Sequence, residues 1–189
     1  MDYDQFEEIT NLAANDDKYF ELIDGHIYMI STSSTSHAQI VGYIHGQLFN
    51  YLRGKHFKPY MNVSVRLWNK NSDKNSLIPD LFISRNPEQI KEDCCSDAPD
   101  FVLEVISPST VGKDYLIKKF KYMQYGVREY WIVDREAGRI TVIAPLSDPK
   151  NGVSEEYYTF DDTVKFNIFD DLHINFKELS EYISGFEPD

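Results

Sequence analysis

The sequence of 189 residues is poor in the features that mark several large classes of protein. Its two cysteines, Cys94 and Cys95, are adjacent in a polar segment, so we expect no disulfide framework. No apolar run approaches the ~18–20 residues that a membrane-spanning helix needs. The opening residues, MDYDQFEEIT, are acidic and polar, unlike a secretory signal or a transit peptide. These absences predict a cytoplasmic protein in a reducing compartment.

Two common catalytic designs are also missing from the sequence. The five histidines show no metal-ligand spacing, which argues against a zinc enzyme. Ser107 lacks the G-x-S-x-G frame of a nucleophile elbow, which argues against a serine hydrolase of that type. No internal repeat or low-complexity tract interrupts the chain. The chemistry therefore has to be sought in other residue types.

The sequence does contain enough apolar and aromatic material for one folded core. Hydrophobic residues make up 42% of the chain and aromatic residues 14%, which argues against disorder. The length is typical of one domain. We therefore predict a single domain over residues 1–189, with acidic extensions at about 1–18 and 155–189.

The net charge of −12 is concentrated at the two ends of the chain. Residues 1–24 hold eight acidic residues and one Lys, and residues 155–189 hold ten acidic residues and two Lys. The 31 acidic and 19 basic residues of the whole chain thus leave 13 acidic and 16 basic residues for the middle. Phosphate binding is largely electrostatic, so the total charge argues against DNA while the charge of the middle permits it.

Hydrophobic periodicity and turn signals predict an alternation of helices and strands. Asp24-Gly25 between two apolar runs is a strong hairpin signal. The expected helices lie at 3–13, about 36–53, 111–126 (with Leu116, Phe120 and Met123 on one face) and 176–183. The expected strands lie at 61–68, 76–84, 101–107, 128–134 and 139–145, with hairpins at 19–31 and 155–168. Within 76–84, Pro79 must interrupt central pairing or mark the beginning of the strand. This order predicts an α/β (α+β) sandwich in which a mixed β-sheet is flanked by helices.

Two carboxylates occupy unusual positions in this pattern. Glu104 lies in the middle of the apolar run DFVLEVIS, and Asp80 follows Pro79 in IPDLFIS. A buried carboxylate without a partner costs several kcal/mol or more, so Glu104 must be neutral, paired or bound to a cation. If the two strands pair antiparallel, both carboxylates lie on one face of the sheet. Two carboxylates and a backbone carbonyl would suit Mg²⁺.

Phosphodiester hydrolysis also needs a cation for the charge that develops on the phosphate. In many nucleases a Lys lies two residues after the Glu, but that position is Ile106 here. The next helix offers Lys118 and Lys119 instead. Lys118 has Asp114 at i−4 and Tyr122 at i+4, which forms one stripe that a buried site could use.

Each of these residues also has a structural interpretation. Asp80 can be a turn residue, His37 a helix cap and Glu21 a surface strand residue. Lys118 and Lys119 are typical of a solvated basic helix face. Two alternatives to an enzyme follow. One is a structural module in which Glu104 and Lys118 form a buried salt bridge, and the other is a nuclease-like domain without activity that binds DNA or protein.

The chain resembles the Uma-two restriction endonuclease family, within the PD-(D/E)XK nuclease superfamily, from about residue 19 to residue 142. The resemblance rests on FELIDGHIYMIS, SHAQIV, IPDLFIS, DFVLEVISPST, DYLIKKFKYMQYGVREYWIVD and RITVI. It implies a restriction-endonuclease-like fold and a DNA endonuclease that depends on Mg²⁺ or Mn²⁺. A homodimer is plausible because cutting both strands of a duplex usually takes two sites.

The resemblance also implies roles for individual residues. Asp80 and Glu104 match the metal carboxylates of the family, with the backbone carbonyl of Val105 as a further ligand. Lys118 matches the helix lysine, which is consistent with Ile106 at the usual lysine position. Glu21 and His37 match family positions near the site. HAQIV lacks the helix glutamate of some superfamily members, so Glu21 is a candidate for the third carboxylate.

Overall fold

The computed structural model describes residues 1–13, 19–30, 32–68, 74–107, 110–148 and 152–185. The α-helices are α1 (Tyr3–Ala13), α2 (Thr35–Leu52), α3 (Lys119–Gln124) and α4 (Phe176–Ser184), and a π-helix (Lys113–Lys118) runs directly into α3. The strands are β1 (Tyr19–Ile23), β2 (His26–Ile30), β3 (Lys58–Met61), β4 (Ser64–Trp68), β5 (Lys74–Leu77), β6 (Leu81–Ser84), β7 (Cys94–Cys95), β8 (Phe101–Val105), β9 (Glu129–Asp134), β10 (Arg139–Pro145), β11 (Val153–Thr159), β12 (Thr163–Lys165) and β13 (His173–Asn175).

Two mixed sheets organise these strands. The larger sheet has the order β11-β10-β9-β8-β6-β3, in which β8 and β9 are parallel and the other pairs are antiparallel. The smaller sheet has the order β2-β1-β5-β4-β7. A short β12-β13 pair completes the strands of the described residues.

The six-stranded sheet lies between two apolar layers. On one face, alternate residues such as Leu103 and Trp131 pack with the buried residues of α2 and α4. On the other face, Val102 and Tyr130 pack with Tyr122 and with residues of the five-stranded sheet. Because side chains alternate along a strand, Glu104 shares the second face with Val102. The helix that begins at residue 113 and the smaller sheet therefore cover the face that carries Glu104.

The interruption expected at Pro79 is confirmed, whereas the hairpin predicted at 155–168 was wrong. The segment 76–84 is divided at Pro79 into β5 and β6, which belong to different sheets. Proline lacks the N–H that a continuous ladder would require, so the chain leaves one sheet there and enters the other. The segment 155–168 does not form its own hairpin, because β11 pairs with β10 and β12 pairs with β13.

The predicted apolar face of the third helical segment was also wrong. The side chains of Leu116 and Phe120 are 68% and 61% exposed. The same segment buries charged and polar residues, namely Asp114, Lys118, Lys121 and Tyr122. The helix therefore turns its polar stripe inward, because the buried carboxylates beneath it bind the lysines.

The two acidic ends contribute to the folded structure. Tyr3 and Phe6 of α1 are buried against Leu22 of β1. Near the other end, Val164 and Phe166 belong to the main core. Residues 14–18 and 186–189 of the predicted extensions lie outside the described residues. None of the described helices is long and apolar enough to cross a lipid bilayer.

Candidate active site

Strand pairing brings Asp80 and Glu104 together. β6 and β8 are antiparallel, with Leu81 opposite Leu103. One step further along this register, Asp80 lies opposite Glu104. Residues that face each other across an antiparallel pair carry their side chains on the same face of the sheet. This register is consistent with the expected juxtaposition of the two carboxylates.

Asp80 is fixed by two hydrogen bonds to one carboxylate oxygen. Its Oδ2 accepts from the backbone N–H of Val105 at 2.7 Å and contacts Nε2 of His37 at 3.0 Å. His37 lies in the first turn of α2, where the side chain of Ser34 caps the helix by accepting from its backbone N–H at 3.2 Å. The first turn of α2 therefore positions the imidazole of His37 beside Asp80.

Burial lowers the pKa of His37, but the hydrogen bond to Asp80 and its charge, the backbone of Val105 and the charge of Asp114 outweigh this effect. The pKa of His37 is accordingly raised above 6.5. A raised pKa favours the imidazolium form beside the Asp80 carboxylate.

Glu104 is buried and bonded to the helical segment. Its Oε1 accepts hydrogen bonds from Nζ of Lys118 at 2.8 Å and from the hydroxyl of Tyr122 at 3.0 Å. Because residues four apart lie on one face of a helix, Lys118 and Tyr122 reach the same oxygen. The partner of Glu104 within the chain is thus a lysine from the helix, at the position that the sequence suggested.

Glu21 of β1 is fully buried and holds two lysines. Its Oε2 accepts from Nζ of Lys113 at 2.6 Å, and its Oε1 lies 2.7 Å from Nζ of Lys118. The same Oε1 accepts from the backbone N–H of Ile78 at 2.9 Å. Burial alone would raise the pKa of Glu21, but Lys118 and Lys113 outweigh burial and lower it. Both oxygens of Glu21 are therefore engaged within the chain.

The site contains more carboxylates than lysines. Asp114 is buried, its Oδ1 lies 3.6 Å from Nζ of Lys118, and this oxygen has no hydrogen-bond partner among the described residues. Burial and the nearby charges of Asp114, Asp80 and Glu21 raise the pKa of Glu104 well above its usual value, although Lys118 opposes the shift. Burial lowers the pKa of Lys118, but the charges of Glu104, Glu21 and Asp114 outweigh burial and raise it well above its usual value. The excess of negative charge favours any added cation.

The structure distinguishes between the two candidate lysines. Lys118 points into the site, whereas Lys119 binds Glu155 on the surface at 2.9 Å. Lys113 was not identified from the sequence, because a spacing of five residues from Lys118 is not a helical signal.

The five predicted residues form two neighbouring groups. Lys118 joins Glu104 and Glu21, and His37 joins Asp80. The backbone N–H of Val105, the residue after Glu104, links Asp80 to the first group, and the two groups together are called the cluster below.

The donor set of this cluster fits a hard divalent cation. Asp80 and Glu104 offer carboxylate oxygens, and the unpartnered Oδ1 of Asp114 adds negative charge nearby. Among the described residues, no group of three or more His, Cys, Asp or Glu side chains is arranged to hold a metal ion. Mg²⁺ is commonly held by one or two carboxylates and keeps several waters, so two carboxylates with a backbone carbonyl suffice.

Comparison with known proteins gives a family and a fold. A family model, Uma2, described as "Putative restriction endonuclease", matches residues 3–177. The chain is similar in structure to "a putative nuclease belonging to DUF820 from Anabaena variabilis", with 17% sequence identity and a TM-score of 0.71. The match covers 87% of this chain and 90% of the other. No match was found among curated proteins. The fold is restriction-endonuclease-like, with mixed sheets flanked by helices.

Proposed function

Since this chain belongs to the Uma2 family, we propose that it is a divalent-metal-dependent endonuclease that hydrolyses phosphodiester bonds in DNA. Its site would be a PD-(D/E)XK variant in which the strand lysine is replaced by Ile106 and its role is taken by Lys118. The family and the fold support a nuclease; the metal, the substrate and the residue roles are our proposal.

One observation carries this proposal. Asp80 directly precedes β6, and the antiparallel register of β6 and β8, continued by one residue, sets it opposite Glu104, whose carboxylate lies 2.8 Å from Nζ of Lys118. Two carboxylates can hold a divalent metal ion, and a lysine beside one of them can stabilise the charge that develops during phosphodiester hydrolysis. A buried salt bridge alone would not need Asp80 opposite Glu104.

Each side chain of the cluster has a separate role in the proposed mechanism. Lys118 would supply a fixed positive charge that lowers the pKa of the attacking water and offsets the negative charge that develops on the non-bridging phosphate oxygens. Tyr122 and Lys118 orient Glu104 through their hydrogen bonds to its Oε1. His37 holds the carboxylate of Asp80 in place.

Asp80, Glu104 and the backbone carbonyl of Val105 would hold a Mg²⁺ or Mn²⁺ ion. Such an ion, when bound, supplies Lewis acidity toward a phosphate oxygen and lowers the pKa of water at the site. The number of carboxylates supports this assignment, because Oδ1 of Asp114 has no hydrogen-bond partner among the described residues and lies 3.6 Å from Nζ of Lys118, so an added cation would offset its charge.

The test is plasmid cleavage by two isosteric variants. We expect Asp80→Asn and Glu104→Gln each to lower Mg²⁺-dependent nicking of supercoiled DNA by about 100-fold or more, because each removes an anionic ligand. Glu129→Gln is the matched control, since Glu129 is a buried strand carboxylate that lies outside the cluster. Circular dichroism checks the fold of all three. Undiminished cleavage by both site variants would contradict the proposal.

A second candidate is a nuclease-like domain without activity that binds DNA or protein. It is favoured by one observation: each ligand carboxylate already contacts a basic side chain, His37 for Asp80 and Lys118 for Glu104. Titration calorimetry with Mn²⁺ separates the candidates. An active site should bind the ion and lose this binding in Glu104→Gln, whereas the inactive domain should show no carboxylate-dependent binding.

We further propose that the enzyme works in the cytoplasm and acts on duplex DNA as a homodimer. The adjacent thiols of Cys94 and Cys95 are both free and buried, which suits a reducing compartment. Two copies related by a two-fold axis would present one site to each strand of the duplex.

A further inference from the structure

Two lysines of the π-helix share the buried carboxylate of Glu21. Nζ of Lys113 lies 2.6 Å from its Oε2, and Nζ of Lys118 lies 2.7 Å from its Oε1. The carboxylate thus bridges two ammonium groups that are five residues apart in sequence. One negative charge accordingly stands between two positive charges.

The π-helix explains how both lysines reach one carboxylate. In an α-helix the residues that lie on the same face are three or four apart, so residues 113 and 118 would point in different directions. The π-helix forms hydrogen bonds from i to i+5, which aligns residues five apart. Single π-turns are rare and are frequently found at functional sites. The local helix type therefore serves to place a second lysine at the cluster.

The two lysines differ in how many of their N–H donors remain available to bind a ligand. The side chain of Lys118 is 4% exposed, and its ammonium group is surrounded by the carboxylates of Glu21, Glu104 and Asp114. The side chain of Lys113 is 14% exposed, and among the described residues its ammonium group pairs with Glu21 alone. Lys113 therefore retains N–H donors that can face solvent, whereas the donors of Lys118 are directed at the carboxylates.

The position of Lys113 relates it to the candidate active site. Glu21 also accepts a hydrogen bond from the backbone N–H of Ile78, two residues before Asp80. The side chain of Lys113 and the backbone just before β6 thus both donate hydrogen bonds to the carboxylate of Glu21. The ring of Tyr28 on β2 lies beneath the ammonium group of Lys113, with Nζ 5.7 Å from its centroid. These contacts fix Lys113 at the rim of the cluster.

We propose that Lys113 is a phosphate-binding residue of this site, which holds a backbone phosphate of the DNA substrate while Glu21 keeps its side chain in position. This inference rests on the proposed endonuclease function. Lysine is well suited to the role because its ammonium group is a point charge with three donors, one of which Glu21 occupies. Glu21 is then a positioning residue for both lysines.

The experiment is the salt dependence of DNA binding. A fluorescent duplex oligonucleotide is titrated with protein in EDTA, which prevents metal-dependent cleavage, at several concentrations between about 50 and about 200 mM KCl. The logarithm of the binding constant falls linearly with the logarithm of the salt concentration, by about 0.9 for each phosphate contact. We expect Lys113→Met to reduce this slope by about 0.9 and to weaken binding about tenfold at the lowest salt concentration.

Two variants make the comparison specific. Lys113→Arg retains the charge and should keep the slope of the original protein. Lys119→Met is the matched control, because Lys119 lies in the same helical segment but pairs with Glu155 on the surface. It should also leave the slope unchanged. Thermal unfolding of each variant verifies that the chain is folded at the temperature of the titration.

The outcomes separate this inference from the proposed function. An unchanged slope for Lys113→Met, with plasmid cleavage by the original protein intact, overturns the role of Lys113 alone. An equal loss of slope in Lys119→Met also overturns it, since the loss would then follow from removing any positive charge from this helical segment. If the original protein binds no duplex DNA at all, both the inference and the endonuclease proposal fail.

Discussion

Glu104 and Glu129 are two buried carboxylates on adjacent parallel strands, and their hydrogen-bond donors are of different kinds. Glu129 accepts from Nε1 of Trp131 at 2.8 Å and from the backbone N–H groups of Asn167 and Ile168 at 2.9–3.0 Å. It therefore ties β9 to the loop before β13 through neutral donors. Glu104 instead bonds a lysine and a tyrosine, and it lies opposite a second carboxylate. The partners, rather than burial, distinguish a structural acid from a site acid.

The pairing of His37 and Asp80 makes stability depend on pH. The pKa of His37 is raised above 6.5 in the folded protein. A group whose pKa is higher in the folded state stabilises the fold fully below its unfolded pKa, and this contribution is lost as the pH rises through the folded pKa. The stabilisation by the imidazolium should thus be present in mildly acidic solution and absent in alkaline solution.

We predict that His37→Gln lowers the free energy of unfolding by about 1 kcal/mol at about pH 5.5 and by less at about pH 9, because glutamine keeps an N–H donor but cannot carry the charge. Urea denaturation of both proteins at several pH values measures the difference. A difference that is the same at every pH, or that grows toward alkaline pH, would show that His37 is not protonated beside Asp80.

At the scale of elements, the helical segment from 113 to 124 has an inverted pattern. Amphipathic helices usually bury their apolar stripe. Here Lys118 and Tyr122 are buried while Leu116 and Phe120 face solvent. The reason is electrostatic, since Glu21 and Glu104 on the strands beneath would be left unpaired if the helix were rotated to bury its leucine and phenylalanine. Leaving buried charges unpaired costs more free energy than the burial of two apolar side chains would gain.

This orientation leads to a prediction about Leu116 and Phe120. Replacing either with glutamine should change the free energy of unfolding by less than about 0.5 kcal/mol, because surface substitutions have small effects. Leu103→Ala in β8 is the control, since Leu103 is fully buried and such truncations cost about 2–5 kcal/mol. Urea denaturation measures all three. A loss near 2 kcal/mol for Phe120→Gln would mean that the helix packs with its apolar face inward.

Sequence patterns predicted most elements but not their orientation. The apolar run in DFVLEVIS and the turn at Asp24-Gly25 predicted strands that the structure contains, because these signals are local. The face that a helix buries depends on what lies beneath it, and for the segment from 113 to 124 that was decided by carboxylates from two distant strands. The π-helix has no periodicity that a search for helical spacing would detect, so Lys113 was missed.

At the scale of the whole molecule, the negative net charge of the chain does not mean that the surroundings of the site are uniformly negative. Several acidic side chains of the two ends pair with basic residues of the middle. Arg66 lies 3.8 Å from Glu7 of α1, and Lys119 lies 2.9 Å from Glu155 of β11. The net charge of −12 is thus a poor guide to the potential at the cluster, where lysines and carboxylates are interleaved.

The proposed homodimer predicts how cleavage depends on protein concentration. One site cuts one strand, so dilute protein should convert supercoiled plasmid to nicked circles, and linear DNA should appear as dimers form. Below the dimer dissociation constant, the rate of linearisation should rise about fourfold for each doubling of protein concentration, because two copies must assemble. Agarose gels measure the products, and sedimentation measures the oligomeric state over the same range.

Mixing the original protein with an excess of Glu104→Gln provides the control for this prediction. Mixed dimers hold one competent site, so linear product should fall while nicking persists. Linearisation at a rate proportional to protein concentration, by a species that sediments as a monomer, would rule out the dimer.

By itself, the sequence determined that Glu104 is buried in a strand, that Asp80 follows Pro79 in a neighbouring strand segment, and that Lys118 lies on the helix that follows Glu104. These are consequences of local periodicity and chain order. The tertiary structure alone decided the register that sets Asp80 opposite Glu104, the rotation of the helix, and the capture of Lys113 by Glu21. Each of these depends on contacts between residues far apart in sequence, where buried charges must find partners and the packing of separate elements supplies them.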